Sequence, residues 1–129
     1  MNIIVADRQD RVRFALRILL ERMLGQKVMG EASNASELSS LAARTNPDIL
    51  VLEWELPGLD AAAGLQELLQ LHPMLMVIVT SSASGARQAA LDAGADAFVN
   101  KAAPPEALLE AVSACLRSTA DRRAGINQQ

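Results

Sequence analysis

VLEWELPG, residues Val51–Gly58, carries an apolar run into a carboxylate, Glu53, and then breaks it with Pro57 and Gly58. The run begins at Ile49. Five aliphatic or chain-ending residues followed by turn formers read as a short buried strand that empties into a loop. Four similar runs lie outward from it: Ile3–Ala6, Val28–Ala32, Met76–Ser81 and Ala97–Asn100. None alternates cleanly between apolar and polar, the pattern of parallel strands covered on both faces. The stretches between them are amphipathic. Arg11 to Leu24 sets Val12, Leu16, Leu19, Leu20 and Met23 on one side of a helix. Asn34 with Glu37 forms a capping box that opens a second helix. Asp60 caps a third, running to Leu71. Ser84 caps a fourth, which Gly94 ends in a left-handed turn. Pro104 and Pro105 suit the first turn of a fifth, where a missing N–H costs nothing, and that helix is expected to end near Arg117. Residues 118–129, STADRRAGINQQ, then read as a polar tail or the start of a linker.

A strand–helix repeat of this regularity predicts an α/β fold, a doubly wound five-stranded parallel sheet with five helices. Right-handed crossovers and the flavodoxin-like order 2-1-3-4-5 put the ligand crevice at the carboxyl ends of strands 1 and 3. At 129 residues the chain is one domain, with half of its residues hydrophobic. The net charge of −3 gives no sign of nucleic-acid binding. The single cysteine, Cys115, sits in an apolar stretch and reads as a small buried hydrophobe. No run is long enough for a membrane span and the N-terminus lacks a signal-peptide pattern, so a cytoplasmic location is expected.

On that frame the polar residues converge. Asp7 and Arg8 follow strand 1, Glu53 ends strand 3, Thr80 and Ser81 end strand 4, and Lys101 follows strand 5. Each has a plain alternative. Glu53 is a strand-end carboxylate in any α/β domain, Arg8 a solvated loop residue, Lys101 an ordinary surface lysine. Trp54 reads as strand-end packing. His72 has no second histidine or nearby cysteine with which to hold a metal. Arg11, Arg13, Arg17 and Arg22 form a solvated helix face or a docking surface for an acidic partner. No glycine-rich phosphate loop follows strand 1, and no Ser–His–Asp or Cys–His set is available, so neither dinucleotide binding nor catalysis is expected.

The carboxylate four residues before Pro57 makes VLEWELPG resemble the phosphoacceptor segment of the response-regulator receiver domain (CheY-like), where that residue is an aspartate. IIVADRQDRVR resembles the family opening, Asp7 matching the first of two adjacent acids and Arg8 falling on the second. GADAFVNKAAPPEALLEAV resembles the segment that holds the family's lysine, matched by Lys101, with Phe98 on the switch aromatic. Ser81 matches the switch hydroxyl, with Thr80 the alternative. The resemblance covers residues 1–117 and, in PGLD and KAAPPEALL, is similar in style to receivers of helix-turn-helix transcription regulators.

The resemblance implies a two-component signalling module, and the departures from it imply an atypical one. Glu53 resembles a phosphorylated aspartate and is a poor acceptor, a phosphomimetic. The four matched positions Asp7, Arg8, Glu53 and Lys101 sum to zero formal charge, against −2 in the family. Mg²⁺, which needs hard oxygen ligands, is therefore expected to bind weakly or not at all unless Glu55 turns inward. Arg8 is expected to replace the metal and pair with Glu53 or Asp7, Lys101 being a second cation. The expected function is a phosphorylation-independent pseudo-receiver, not an enzyme, with protein partners and a homodimer through the helix 4–strand 5–helix 5 face. Two alternatives stand: the excised regulatory half of a DNA-binding transcription factor, which by itself binds no nucleic acid, and a small-molecule-binding flavodoxin-like domain.

Overall fold

The computed structural model describes the backbone of residues 1–128 and the side chains of residues 1–122. Five strands, β1 (Ile3–Ala6), β2 (Val28–Ala32), β3 (Ile49–Glu53), β4 (Met76–Ser81) and β5 (Ala97–Asn100), alternate with α1 (Asp10–Leu24), α2 (Ala35–Thr45), α3 (Ala61–Leu71), α4 (Ala86–Asp92) and α5 (Pro105–Gln128). All pairings are parallel and the order is β2-β1-β3-β4-β5, as the apolar runs predict.

Alternation along each strand splits the core into two layers. Ile4, Leu50, Leu52, Val77 and Val79 pack with Leu38 and Leu41 of α2 and Leu65 and Leu68 of α3. Ile3, Val5, Ile49, Val51 and Ile78 pack on the other face with Leu20 of α1 and Leu108, Val112 and Cys115 of α5. Most are fully buried, each contributing on the order of 1.5–3 kcal/mol relative to exposure. Both faces being covered is why the strands show no polar alternation.

Local signals hold in part. Glu37 N–H donates to Asn34 Oδ1 (2.9 Å), but the Glu37 carboxylate reaches back to the N–H (2.7 Å) and hydroxyl (2.6 Å) of Ser33 rather than to Asn34. Gly94 takes φ 112° after α4, a conformation costly to any residue with a Cβ. Asp60 precedes α3 without a side-chain cap, because the backbone there (Asp60 ψ 64°, Ala61 φ 23°) leaves the extended geometry that capping needs. Ser84 is not the cap of α4; Gly85, at φ 86°, takes that place.

The expected end of the fifth helix near Arg117 is corrected: α5 continues to Gln128. Thr119 is buried and its hydroxyl donates to the Cys115 carbonyl one turn back (2.9 Å), so this polar residue is satisfied within the helix. Ala120, Asp121 and Arg122 carry it on, and the remainder of the expected tail lies outside the described side chains.

Candidate functional site

Strand register delivers the polar residues to one edge. Ala6 pairs with Leu52, Glu53 with Thr80, and Ser81 with Asn100, so Asp7, Glu53 and Lys101 stand at the carboxyl ends of neighbouring strands. The edge is fixed further by Asp7 N–H donating to Ala32 O and Lys101 N–H donating to Ser81 O, both at 3.0 Å.

Lys101 is the centre of the cluster. Its Nζ lies 2.6 Å from Glu53 Oε2 and 2.9 Å from Asp7 Oδ2. Glu53 is fully buried, Asp7 nearly so, and the lysine side chain is 23% exposed. Glu53 Oε1 accepts the backbone N–H of Arg8 (3.0 Å) and Asp7 Oδ1 that of Gln9 (2.9 Å). No donor is well aligned on Asp7 Oδ2, so its approach to Lys101 is a charge pairing with a poor hydrogen-bond angle. The expected Arg8–Glu53 ion pair is present, with Lys101 the closer of the two cations. The Arg8 guanidinium Nε is 3.5 Å from Glu53 Oε2 and its side chain is 56% exposed; the backbone of Arg8, not its charge, makes the tight contact. No ion pair joins Arg8 to Asp7 among the described residues.

Burial is the largest single influence on Glu53 and pushes its carboxyl up. The Lys101 hydrogen bond, the Arg8 N–H and the two cations together outweigh it and hold the group below its ordinary value. Burial likewise lowers Lys101, but Glu53 and Asp7 overcome it and hold the ammonium above its ordinary value. Glu53 thus stabilises the fold above about pH 4.5, and loses that effect as pH falls through its lowered value. Lys101 stabilises below about pH 10.5 and loses its effect as pH rises through its raised value. Denaturant melts across this range are expected to show a plateau falling at both ends, by at most ~1.4 kcal/mol per pH unit per proton. Glu53→Gln should flatten the acid limb; an unchanged acid limb rules out the cluster as its source.

Two hydroxyls end β4, on opposite faces. Ser81 is fully buried; its Oγ donates to Glu55 Oε2 (2.8 Å) and accepts the Ala83 N–H (3.0 Å). Glu55 is exposed and turns toward Ser81, not into the Asp7–Glu53 cluster. Thr80, 8% exposed, shares the face of Met76 and Ile78 and lines a cleft beside α1. Phe98 is half-buried against the α2–α3–α4 layer, with the Arg87 guanidinium 5.2 Å from its ring centroid, a cation–π contact. Trp54 packs on the same layer, as expected of a strand-end residue. Arg13 and Arg17 are taken up by Asp10, Glu21 and Glu31. Burial, then Asp96, pushes the Cys115 thiol up to about 11, so it is inert at neutral pH. The Thr80 opening onto α1 is the feature that linear reading missed. Its signal was the row of Val12, Leu16 and Leu19 facing small residues at the start of α5.

A family model described as the response regulator receiver domain matches residues 3–113. This chain belongs to that family. Among curated relatives of the receiver domain is the nitrate/nitrite response regulator protein NarP of Escherichia coli, 30% identical over 115 residues, covering 88% of this chain and 54% of NarP. A protein-glutamate methylesterase/protein-glutamine glutaminase of Agrobacterium fabrum is 31% identical over 125 residues, covering 91% of this chain and 36% of that enzyme. The receiver therefore spans about half the length of one relative and about a third of the other. Among solved structures, a LuxR-family two-component response regulator from Aurantimonas superposes with a TM-score of 0.83 at 30% identity, covering 91% of this chain and 85% of that one. No described helix is long and apolar enough to cross a membrane.

The residues at this receiver's crevice do not fit the Mg²⁺ that the family implies. Both Glu53 oxygens are engaged, one Asp7 oxygen faces an ammonium, and a guanidinium stands beside them. Among the described residues no three His, Cys, Asp or Glu side chains group as metal ligands. Two carboxylates already neutralised by cations offer a hard divalent ion little charge.

Proposed function

We propose that this receiver domain is a pseudo-receiver, a protein-interaction module in a two-component pathway whose state is not set by aspartyl phosphorylation. One observation carries the reading: Glu53, in the acceptor's place, is fully buried with its carboxylate bridged by Lys101 and by the Arg8 N–H. A carboxylate so engaged is a poor nucleophile, and without a metal, phosphoryl transfer lacks its main charge-neutralising element. On this reading Mg²⁺ binds weakly or not at all. The domain itself is not an enzyme; it works in the cytoplasm and pairs as a homodimer through α4, β5 and α5, the face that carries Arg87 and Phe98. A likeness to the transcriptional activator protein ExaE of Pseudomonas putida, 32% identical over 114 residues, favours a place in transcription regulation, as the regulatory half of a longer chain.

Incubation with acetyl phosphate and Mg²⁺ is expected to leave the intact mass unchanged. An acid-stable, alkali-labile phosphoryl adduct mapping to Glu53 refutes the reading. Sedimentation of wild type beside a charge reversal at Arg87 tests the homodimer face, which fails if the two behave alike.

A further inference from the structure

A cleft of about 530 Å³ opens between α1 and the start of α5, beside the Glu53 cluster. Ala15 of α1 and Ala103, Pro104 and Pro105 line it where longer side chains close such gaps. The volume lies within the range of small-molecule sites, ~300–1,000 Å³. Its lining is two-ended. Val12, Leu16, Leu19, Val99 and Leu108 supply apolar walls that run down between the helices. Arg11, Thr80, Asn100 and Lys101 gather at the carboxyl edge of the sheet, where α1 begins.

The polar end is incompletely used by the protein. Thr80 is 8% exposed, and its hydroxyl makes no side-chain hydrogen bond among the described residues yet is not shut off from solvent, so it opens onto the cleft. Arg11 is exposed and makes no ion pair there, unlike Arg13 and Arg17 on the same helix. Lys101 donates one N–H to Glu53 and faces Asp7 as a charge, and an ammonium has three N–H groups. A hydroxyl that opens onto the cleft can bond an oxygen that enters it, at a net gain of ~0.5–1.5 kcal/mol. The converging groups are two cations and a hydroxyl, with Asn100 beside them, at the head of an apolar channel.

We infer that this cleft binds a small amphipathic carboxylate, with its apolar body between α1 and α5 and its carboxylate on Arg11 and Thr80. Lys101 joins the cleft to Glu53 and Asp7, so an occupant reaches the crevice without any phosphoryl chemistry. The cleft lies beside the acceptor position, and its occupancy does not depend on whether Glu53 takes phosphate; the two readings fail separately.

Calorimetric titration of the full chain with naphthylacetate and with its neutral counterpart naphthylacetamide tests the assignment, alongside amide-resolved NMR. Wild type should bind the acid saturably and about fivefold or more tighter than the amide, the scale of one partly exposed ion pair. Arg11→Ala should erase that preference, whereas Arg22→Ala, at the far end of α1, should keep it. Thr80→Val should weaken the acid by about threefold, as for one neutral hydrogen bond. Amide shifts should concentrate at Val12–Leu19, Thr80 and Val99–Lys101. Absence of saturable binding, equal affinity for acid and amide, or identical behaviour of the two arginine variants overturns the inference. So does a concentration-dependent shift of the same amides with dimerisation and no naphthylacetate binding, which assigns the cleft to a second copy of the chain.

Discussion

Lys101→Met is expected to destabilise the domain by about 3–5 kcal/mol, the usual loss when one partner of a buried charge cluster is removed. The lysine neutralises two carboxylates at once, Glu53 fully buried and Asp7 nearly so. Without it both remain ionised in low dielectric, or one must take up a proton at neutral pH. Arg8 cannot substitute, because its side chain is more than half exposed and only its Nε approaches Glu53. Arg8→Ala is accordingly expected to cost ~0–1 kcal/mol, as for exposed pairs, since the backbone N–H to Glu53 survives the change. Adding Glu53→Gln to Lys101→Met should recover part of the loss by deleting one of the stranded charges. Denaturant melts of the singles and the double give the coupling. Additive effects mean that Lys101 and Glu53 do not interact, and equal losses in Lys101→Met and Arg8→Ala return Arg8 to the central role.

Replacing Arg8 and Glu53 together by aspartate should create a metal site where the present residues do not fit one. The double change takes the four crevice positions from zero formal charge to −2. It shortens the acceptor carboxylate by one methylene and leaves Lys101 with more acids than it can neutralise. Two added or freed negative charges near an ion are worth several kcal/mol even at an effective dielectric of ~20, so Mg²⁺ affinity should rise by at least about tenfold. Trp54 adjoins the acceptor position and reports the titration by fluorescence. The same variant should accept phosphate from acetyl phosphate where wild type does not. A double variant that binds Mg²⁺ no better than wild type shows that something other than these two residues closes the site.

Much of this was legible in the chain. Five apolar runs without alternation gave the strands, and their separation by amphipathic stretches gave the order. The register then placed Asp7, Glu53 and Lys101 at one edge, because each closes or follows a strand in the same direction. The division of labour between Arg8 and Lys101 was not legible. Both are cations near Glu53, and only three-dimensional placement shows that Arg8 lends its N–H while its guanidinium leans into solvent. Ser81 and Thr80 are separable in hindsight by strand alternation, Ser81 following Val77 and Val79, and Thr80 following Met76 and Ile78. The extent of α5 was missed because STADRR looks polar and aperiodic, while Thr119 is buried and satisfied inside the helix.

Lys101 is the last member of the cluster in chain order. It is 48 residues beyond Glu53 in sequence and follows β5, an edge strand that pairs only with β4. A half-built sheet in which β1 and β3 have joined but β5 has not docked holds two neighbouring carboxylates and lacks the lysine that reconciles them. Their mutual repulsion would penalise such a half-built sheet relative to the finished one, so the cluster is expected to sharpen all-or-none folding. Amide exchange in β5 should therefore be as slow as in β3 in the wild type, and should run ahead of it once Lys101 is replaced by methionine.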